Sequence, residues 1–369
     1  MSVRRRLVAW IALVAVLATG AVVARAAIDR PDPTPPPRPL DRAVTAALRK
    51  PAPPGVVARI RVTNRLFPAG SVRGPLAALL GDGARGRLWA DGEGRFRIRL
   101  GTGIGPVELG VAAGRLRVAS RLPAAFLDGV VGRDPFGLAS RRRATLPAVR
   151  RALRPARRYF ELSSARPTST AGRPSYTVRI APRDDGGLLG AAEVAWDARS
   201  GLPLRAALYT RDQGAPVFEV ALDRIRLRPV PASALVVRRP PGARRIGPGP
   251  RRSPGGERAP RPRPTDAAPA RIAGMPRRFA QRLPGSGLVA VYGSGLGTIL
   301  AFQGRAEGPL AELARPGLGL PEVNIGGATG TELASTLGTA VGVRSARTLT
   351  LVAGLVPPLA AENAARDLR

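Results

Sequence analysis

Two glycine clusters and one carboxylate pair are the features of this sequence with the best claim to chemistry. Gly101-Thr-Gly-Ile-Gly105 and Gly293-Ser-Gly-Leu-Gly297 are rich enough in glycine to cradle a phosphate. Neither has the G-x-G-x-x-G spacing and neither opens a strand–turn–helix unit, so both are expected to be turns. Asp184-Asp185 offers paired carboxylates, but Gly186-Gly187 follow directly and the four read as a hairpin tip. There is no G-x-S-x-G elbow and no Walker-type loop. The chain also contains no His and no Cys. The usual zinc, haem-attachment and iron–sulfur sets therefore lack their ligands, and Ser–His–Asp and Cys–His systems lack a base or a nucleophile. A hydrolase built on carboxylates alone stays open, yet nothing in the sequence positions a pair. The expectation is a binding protein and not an enzyme, with no cofactor and no metal.

The chain has 369 residues, 44% of them hydrophobic but only 4% aromatic, so its core must be built from Leu, Val, Ile and Ala. Without Cys it has no disulfides, and burial alone must hold the fold. The formal charge is +34. Such an excess fits a polyanionic partner, whether nucleic acid, anionic lipid or a wall polymer. It also fits a GC-rich genome: Ala, Gly, Pro and Arg are all abundant, and Lys50 is the one lysine. The Arg residues are spread along strands rather than interleaved with aromatics, which speaks against nucleic acid.

Arg4-Arg5-Arg6 precedes an apolar run of 18 residues, Leu7 to Ala24, followed by Ala24-Arg25-Ala26. This is the pattern of a secretory signal. The run is longer than the usual h-region of about 7–15 residues and at the low end of the roughly 17–25 that span a bilayer. Residues 1–30 are thus either a cleaved signal peptide or an N-terminal membrane anchor, and in both cases the rest of the chain lies on the extracytoplasmic side. Residues 31–39, mostly proline, form a stiff spacer.

From residue 40 to 239 the chain reads as one domain. A short helix is expected over Asp41–Lys50, with further helical candidates at Pro75–Leu80 and Leu146–Arg158. The rest alternates with period two, the strand signature. Ile60 and Val62 alternate with Arg59, Arg61 and Thr63; Phe96 and Ile98 with Arg95, Arg97 and Arg99; Val178 with Thr177 and Arg179; Val194 and Trp196 with Glu193 and Asp197. Asp91-Gly92, Ala113-Gly114, Asp185-Gly186-Gly187 and Ser200-Gly201 supply turns, so hairpin follows hairpin and the sheet is antiparallel. After Leu222 the apolar positions resume at Ile225, a shift of one that predicts a bulge. One face is apolar and the other Arg-rich, and the apolar face must be covered. The predicted fold class is α+β: a curved antiparallel half-barrel covered by helices, plus a smaller C-terminal α+β domain.

Four phrases, taken in order, resemble the LolA/RseB-like superfamily, in particular its actinobacterial lipoprotein-carrier-like and MucB/RseB-like members. They are Val57–Phe67, Arg87–Leu100, Gly172–Pro182 and Val194–Leu208, followed by Pro240-Pro-Gly242. The most specific is the hairpin Trp196-Asp-Ala-Arg-Ser-Gly-Leu-Pro-Leu-Arg205. The resemblance spans about residues 55 to 245. It implies an antiparallel sheet whose apolar face binds lipid or lipoprotein acyl chains, or a sensor that regulates an anti-sigma factor. The family binds through a surface, so the candidates are the apolar-face residues Ile60, Val62, Leu88, Phe96, Ile98, Val178, Val194 and Trp196. Each of them serves equally as core packing. An acyl chain leaves water at about 0.8 kcal/mol per buried methylene, so an apolar surface can suffice as a site.

Residues 240–270 are Pro-, Gly- and Arg-rich, with seven Arg against Glu257 between Arg244 and Arg263, and are expected to be a linker. Residues 271–369 form a second domain, with strands near 288–292, 298–302, 322–325, 340–343 and 348–352, a short helix at Leu310–Ala314 and a closing helix over Pro358–Leu368. By the same resemblance this domain contacts a membrane-bound partner protein, an anti-sigma factor or a transporter.

Overall fold

The computed structural model describes residues 34–67, 81, 83–103, 105–121, 124–130, 145–183, 187–246, 263–283, 287–306, 314 and 320–369. The apolar run of residues 1–30, the helical candidate at Pro75–Leu80, the Asp184-Asp185 tip and most of Leu310–Ala314 lie outside these residues. The chain divides into two compact units, the first comprising Met1–Arg65, Leu79–Arg183 and Gly190–Gly247, the second Leu66–Ala78, Asp184–Leu189 and Pro248–Arg369.

The first unit opens with helix α1 (Leu40–Arg49). Asp41 in its first turn and Arg49 in its last complement the helix dipole, and Pro51 stops it. Strands β1 (Gly55–Asn64), β2 (Gly83–Asp91), β3 (Phe96–Thr102), β4 (Gly105–Ala112), β5 (Arg115–Arg121) and β6 (Ala124–Val130) follow as a meander. Helix α2 (Leu146–Tyr159) starts at Thr145, whose hydroxyl accepts from the Ala148 amide at 3.4 Å, with Pro147 in the first turn. Next come β7 (Phe160–Leu162), β8 (Arg166–Thr170), β9 (Arg173–Pro182), β10 (Leu189–Asp197), β11 (Pro203–Thr210), β12 (Phe218–Leu227) and β13 (Arg244–Ile246).

These strands make one sheet in the order β13-β6-β5-β4-β3-β2-β1-β12-β11-β10-β9-β7, with β8 also on β9. It is antiparallel apart from β13, which runs parallel to β6, and it curls into a half-barrel. The tight hairpins after β4 and β8 turn on Ala113-Gly114 (φ 50° and 71°) and Ala171-Gly172 (φ 56° and 67°). Two consecutive positive φ values are what a type I′ turn requires, and they match the strand twist. The predicted bulge is present. Val57 pairs with Arg226 and Arg59 with Asp223, so β12 carries one extra residue there, with Arg224 at φ 46°. The first glycine cluster is the β3–β4 turn, where Thr102 pairs with Gly105.

Two helices cover the β9–β10 end of this sheet. Leu40 and Ala43 of α1 and Val149 and Leu153 of α2 pack on Tyr176, Val178 and Trp196. The hairpin that carries the most specific family phrase is a docking device for α1. Asp197 is fully buried, and its carboxylate accepts from the Arg199 amide at 2.7 Å and from Arg173. Gly201, at φ 68°, brings its backbone so close to α1 that a Cβ would lie 2.4 Å from the Ala47 carbonyl oxygen. Only glycine fits there.

The second unit holds β14 (Arg263–Pro264), β15 (Arg271–Ile272), β16 (Met275–Leu283), β17 (Gly287–Tyr292), β18 (Ile299–Arg305), β19 (Glu322–Ile325), β20 (Ala328–Ser335), β21 (Gly338–Arg344), β22 (Thr348–Gly354) and helix α3 (Pro358–Asp367). Its sheet runs β14-β16-β17-β18-β22-β21-β20-β19, with β15 also on β16. Ala361, Ala364 and Ala365 of α3 cover one face, packing with Tyr292, Ile299, Val341 and Val352. The second glycine cluster is the β17–β18 connection, containing a short 3-10 turn at Gly295–Gly297. Residues 240–270, linker-like in composition, supply β13 and β14 at their two ends. Strand pairing uses backbone groups and tolerates a polar, Arg-rich sequence.

Candidate binding faces

The register aligns the apolar positions of the first sheet into rows. Leu127, Val118, Leu109, Ile98, Leu88 and Ala58 lie opposite one another from β6 to β1. Ile60 pairs with Leu222 and Val62 with Val220. Phe96 sits between Ala90 and Val111 in a parallel row. On the far side of β12, Val194 pairs with Val178 and Trp196 with Tyr176, their rings 6.0 Å apart.

The eight residues singled out from sequence divide into two groups. Val178, Val194 and Trp196 lie under α1 and α2, so protein side chains already occupy their apolar surface. Ile60, Val62, Leu88 and Ile98 are buried and Phe96 half-buried on β1–β3. The row then continues into Leu109, Val118 and Leu127, which are half-buried and were not among the candidates drawn from sequence. Their signal was present, since Val107-Glu-Leu-Gly-Val111 alternates, but glycine and proline around β4 obscure the strand.

The opposite face of this sheet is charged. Arg205 donates to Glu193 at 3.0 Å, to Glu219 at 3.0 Å and to the Tyr209 hydroxyl at 3.0 Å, and Tyr209 in turn donates to Glu193 at 2.9 Å. Burial alone would raise the Glu193 carboxyl, but Tyr209 and Arg205 outweigh it and hold it below the usual carboxylate range. Burial alone would lower the Arg205 guanidinium; Glu219 and Tyr209 push it further up instead. Arg97 pairs with Glu108 at 2.7 Å, Arg115 with Asp128 at 2.8 Å and Arg61 with Asp223 at 3.4 Å. Among the described residues no group of three or more His, Cys, Asp or Glu side chains is placed to hold a metal. No helix among them is long and apolar enough to cross a membrane.

The second sheet differs. On its face away from α3, Phe279, Val291, Leu300, Ala353, Ala340 and Leu333 form one lateral row across β16, β17, β18, β22, β21 and β20. Phe279 is 47% exposed and Leu300 50%. Next to Phe279 a cleft of about 430 Å³ is lined by Thr265, Asp266, Arg277, Arg278, Phe279 and Ala280. Arg277 and Asp266 form an ion pair there at 2.5 Å. Sequence reasoning missed this row. Its signal was the run Leu288-Val-Ala-Val-Tyr292, apolar at every position, which supplies both faces of a strand.

No protein-family model and no curated protein matches the sequence. Solved structures do. The chain is similar in structure to MucB. The crystal structure of MucB in complex with MucA(peri) shares 17% identity over 89% of this chain and 96% of that one, with a TM-score of 0.42. The complex of Pseudomonas aeruginosa MucA/MucB shares 16% over 88% and 95%, also with a TM-score of 0.42. An uncharacterized conserved protein from Thermus thermophilus shares 11%, covering 56% of this chain and 97% of its own, with a TM-score of 0.33.

Proposed function

We propose that this is a non-enzymatic binding protein of the cell envelope, exported or anchored through residues 1–30, whose second unit docks a membrane-bound partner protein. The anti-sigma factor or transporter expected from the sequence fits that role. The observation that carries this reading is the exposed row centred on Phe279 and Leu300. A soluble domain leaves few large apolar side chains in the open, and a contiguous row of them marks an interaction surface. Phe at its end suits an anchor in such an interface. In the MucB complexes the second protein is MucA; for this chain the case rests on its own residues. The test is co-purification from detergent-solubilised membranes of the source bacterium. A stoichiometric membrane protein that is retained by the native chain and lost with Phe279→Asp and Leu300→Asp supports the reading. Retention of the same protein by the double variant sinks it.

A second reading concerns the first unit and rests on the half-buried row Leu109–Val118–Leu127. It offers an acyl chain of a lipid or lipoprotein a continuous aliphatic surface with Ile98 and Leu88. A fourteen-carbon chain gains roughly 10 kcal/mol from full burial before ordering costs. Native mass spectrometry of the purified protein should show a bound acyl lipid that Leu109→Glu and Val118→Glu remove. A protein that stays empty when offered lipids limits the function to partner docking.

A further inference from the structure

Among the described residues, helix α2 over the first sheet presents a cationic surface with a single counter-charge. Arg150, Arg151, Arg154, Arg157 and Arg158 are all exposed on α2, which contains no acidic residue. Arg150 alone is answered, by Asp41 at 2.6 Å. Among the described residues no carboxylate pairs with the other four. On α1, Arg42 and Arg49 are exposed as well. The contrast lies within one unit. Arg61, Arg97, Arg115, Arg173 and Arg205 on the strands each meet a carboxylate. On these strands part of the basic charge is thus answered by carboxylates, whereas on α2 only Arg150 is, among the described residues.

Two further observations indicate what answers it. Tyr159 ends α2 at 46% exposure, with the Arg158 guanidinium 5.8 Å from its ring centroid. A tyrosine with an apolar body and a polar tip, beside a guanidinium, is a pair that settles at the headgroup level of a bilayer. The chain also enters the unit beside this layer. The Tyr176 hydroxyl donates to the Pro36 carbonyl at 2.7 Å, and Arg38 bridges Ala165, a residue of the same core cluster as α1 and α2. From Ala27 to Pro36 a fully extended chain reaches about 30 Å at most. Where residues 1–30 stay as the anchor, a domain held that closely meets the membrane with whatever it carries near the tether.

We propose that the outer surface of α2, through Arg151, Arg154, Arg157, Arg158 and Tyr159, is a docking site for an anionic phospholipid bilayer. The proposal rests on the envelope location argued above. The helices cover the same sheet face that carries the aliphatic row, so docking by their outer side turns that face toward the lipid.

The test is sedimentation with sucrose-loaded vesicles, using the chain from Thr34, which keeps every described element of both units. Vesicles are 30% phosphatidylglycerol in phosphatidylcholine, against pure phosphatidylcholine, at low and physiological salt. Partitioning should be confined to the anionic vesicles and fall with salt. Arg151, Arg154, Arg157 and Arg158 changed together to Gln should lower it roughly tenfold or more. A control changing the exposed Arg121, Arg226, Arg228 and Arg344 to Gln removes the same charge elsewhere and should leave it near the native value. Equal losses in the two variants overturn the proposal in favour of overall net charge, and equal binding to pure phosphatidylcholine overturns it outright. No protein partner is present in this assay, so failure of the docking reading at Phe279 and Leu300 leaves its result untouched.

Discussion

The two sheets each carry helices on one face, and they treat their other face in opposite ways. The first lays out a charged surface in which Arg205, Glu193, Glu219 and Tyr209 interlock and Arg97, Arg115 and Arg61 each hold a carboxylate. The second lays out Phe279, Val291, Leu300, Ala353, Ala340 and Leu333. Both arrangements satisfy the backbone equally, because the ladders do that. What differs is the cost of leaving each face in water. A matched ionic face is stable in solvent, whereas an apolar one is stable only once something covers it. A chain with 59 basic residues has every means to make the second face charged, so its apolar character points to an occupant.

The largest effect should come from breaking the charged face at its centre. Arg205→Met leaves Glu193 and Glu219 without their shared cation in a partly buried setting. Removing one partner of such a pair costs about 3–5 kcal/mol, more than the pair itself contributes. The denaturant midpoint of the first unit should fall accordingly at pH 7.

Acid should then separate the two units by the sign of its effect. In the first unit Asp197 and Glu193 titrate low, because donors such as the Arg199 amide, Arg173, Tyr209 and Arg205 outweigh burial. Asp128 is held low by Arg115. Their contribution is present above the ordinary carboxylate range and lost as pH falls through the depressed folded values. In the second unit Glu332 lies on the α3 side with one oxygen buried and without a hydrogen-bond partner. Burial first, and the Glu362 carboxylate on α3 second, push it up. Its contribution is complete below the ordinary glutamate value and lost as pH rises through the raised folded value. Mild acid should therefore firm the second unit while leaving the first unchanged, and stronger acid should weaken the first. In the chain from Thr34, Trp89 and Trp196 are the two tryptophans and both lie in the first unit. Tryptophan fluorescence thus follows that unit, and far-ultraviolet circular dichroism follows both. Glu332→Met should raise the second unit's stability at pH 7 by about 1–2 kcal/mol and flatten its pH response. A second unit that instead loses stability on mild acidification would show that Glu332 is ionised and paired.

The same contrast explains how much could be read beforehand. Where Arg alternates with Val, Ile or Phe, as in Phe96–Leu100 or Tyr176–Ile180, the face assignment follows from period two alone, and the sheet and both helices over it were legible. The bulge after Leu222 was legible for the same reason. Alternation does not say whether a partner is a helix of the same chain or a ligand. Trp196 and Ile98 look alike in sequence, yet α1 and α2 sit on the first and not on the row that holds the second. Phe279 and Leu300 were illegible for a different reason. Leu300 lies on β18, which opens Ile-Leu-Ala-Phe and is apolar on both faces, so only the position of α3 separates the covered side from the open one. Phe279 lies on β16 among Arg277, Arg278, Gln281 and Arg282, where no apolar alternation marks a strand.

That leaves the smallest expected effect, which is also the most informative. Phe279→Ser with Leu300→Ser removes two large apolar side chains from solvent-exposed positions on β16 and β18. Surface substitutions of this kind change stability by about 0.5 kcal/mol or less. The thermal midpoint of the purified variant should match the native protein within error. Solubility should improve, because an open apolar row promotes self-association. If these side chains instead stabilise the isolated chain, the variant will lose several kcal/mol, as buried residues do, and the row belongs to the protein's own core. If stability is unchanged and the membrane partner is lost, the two side chains serve the complex alone. Folding then places no demand on them, and the difference between the two sheets is one of function.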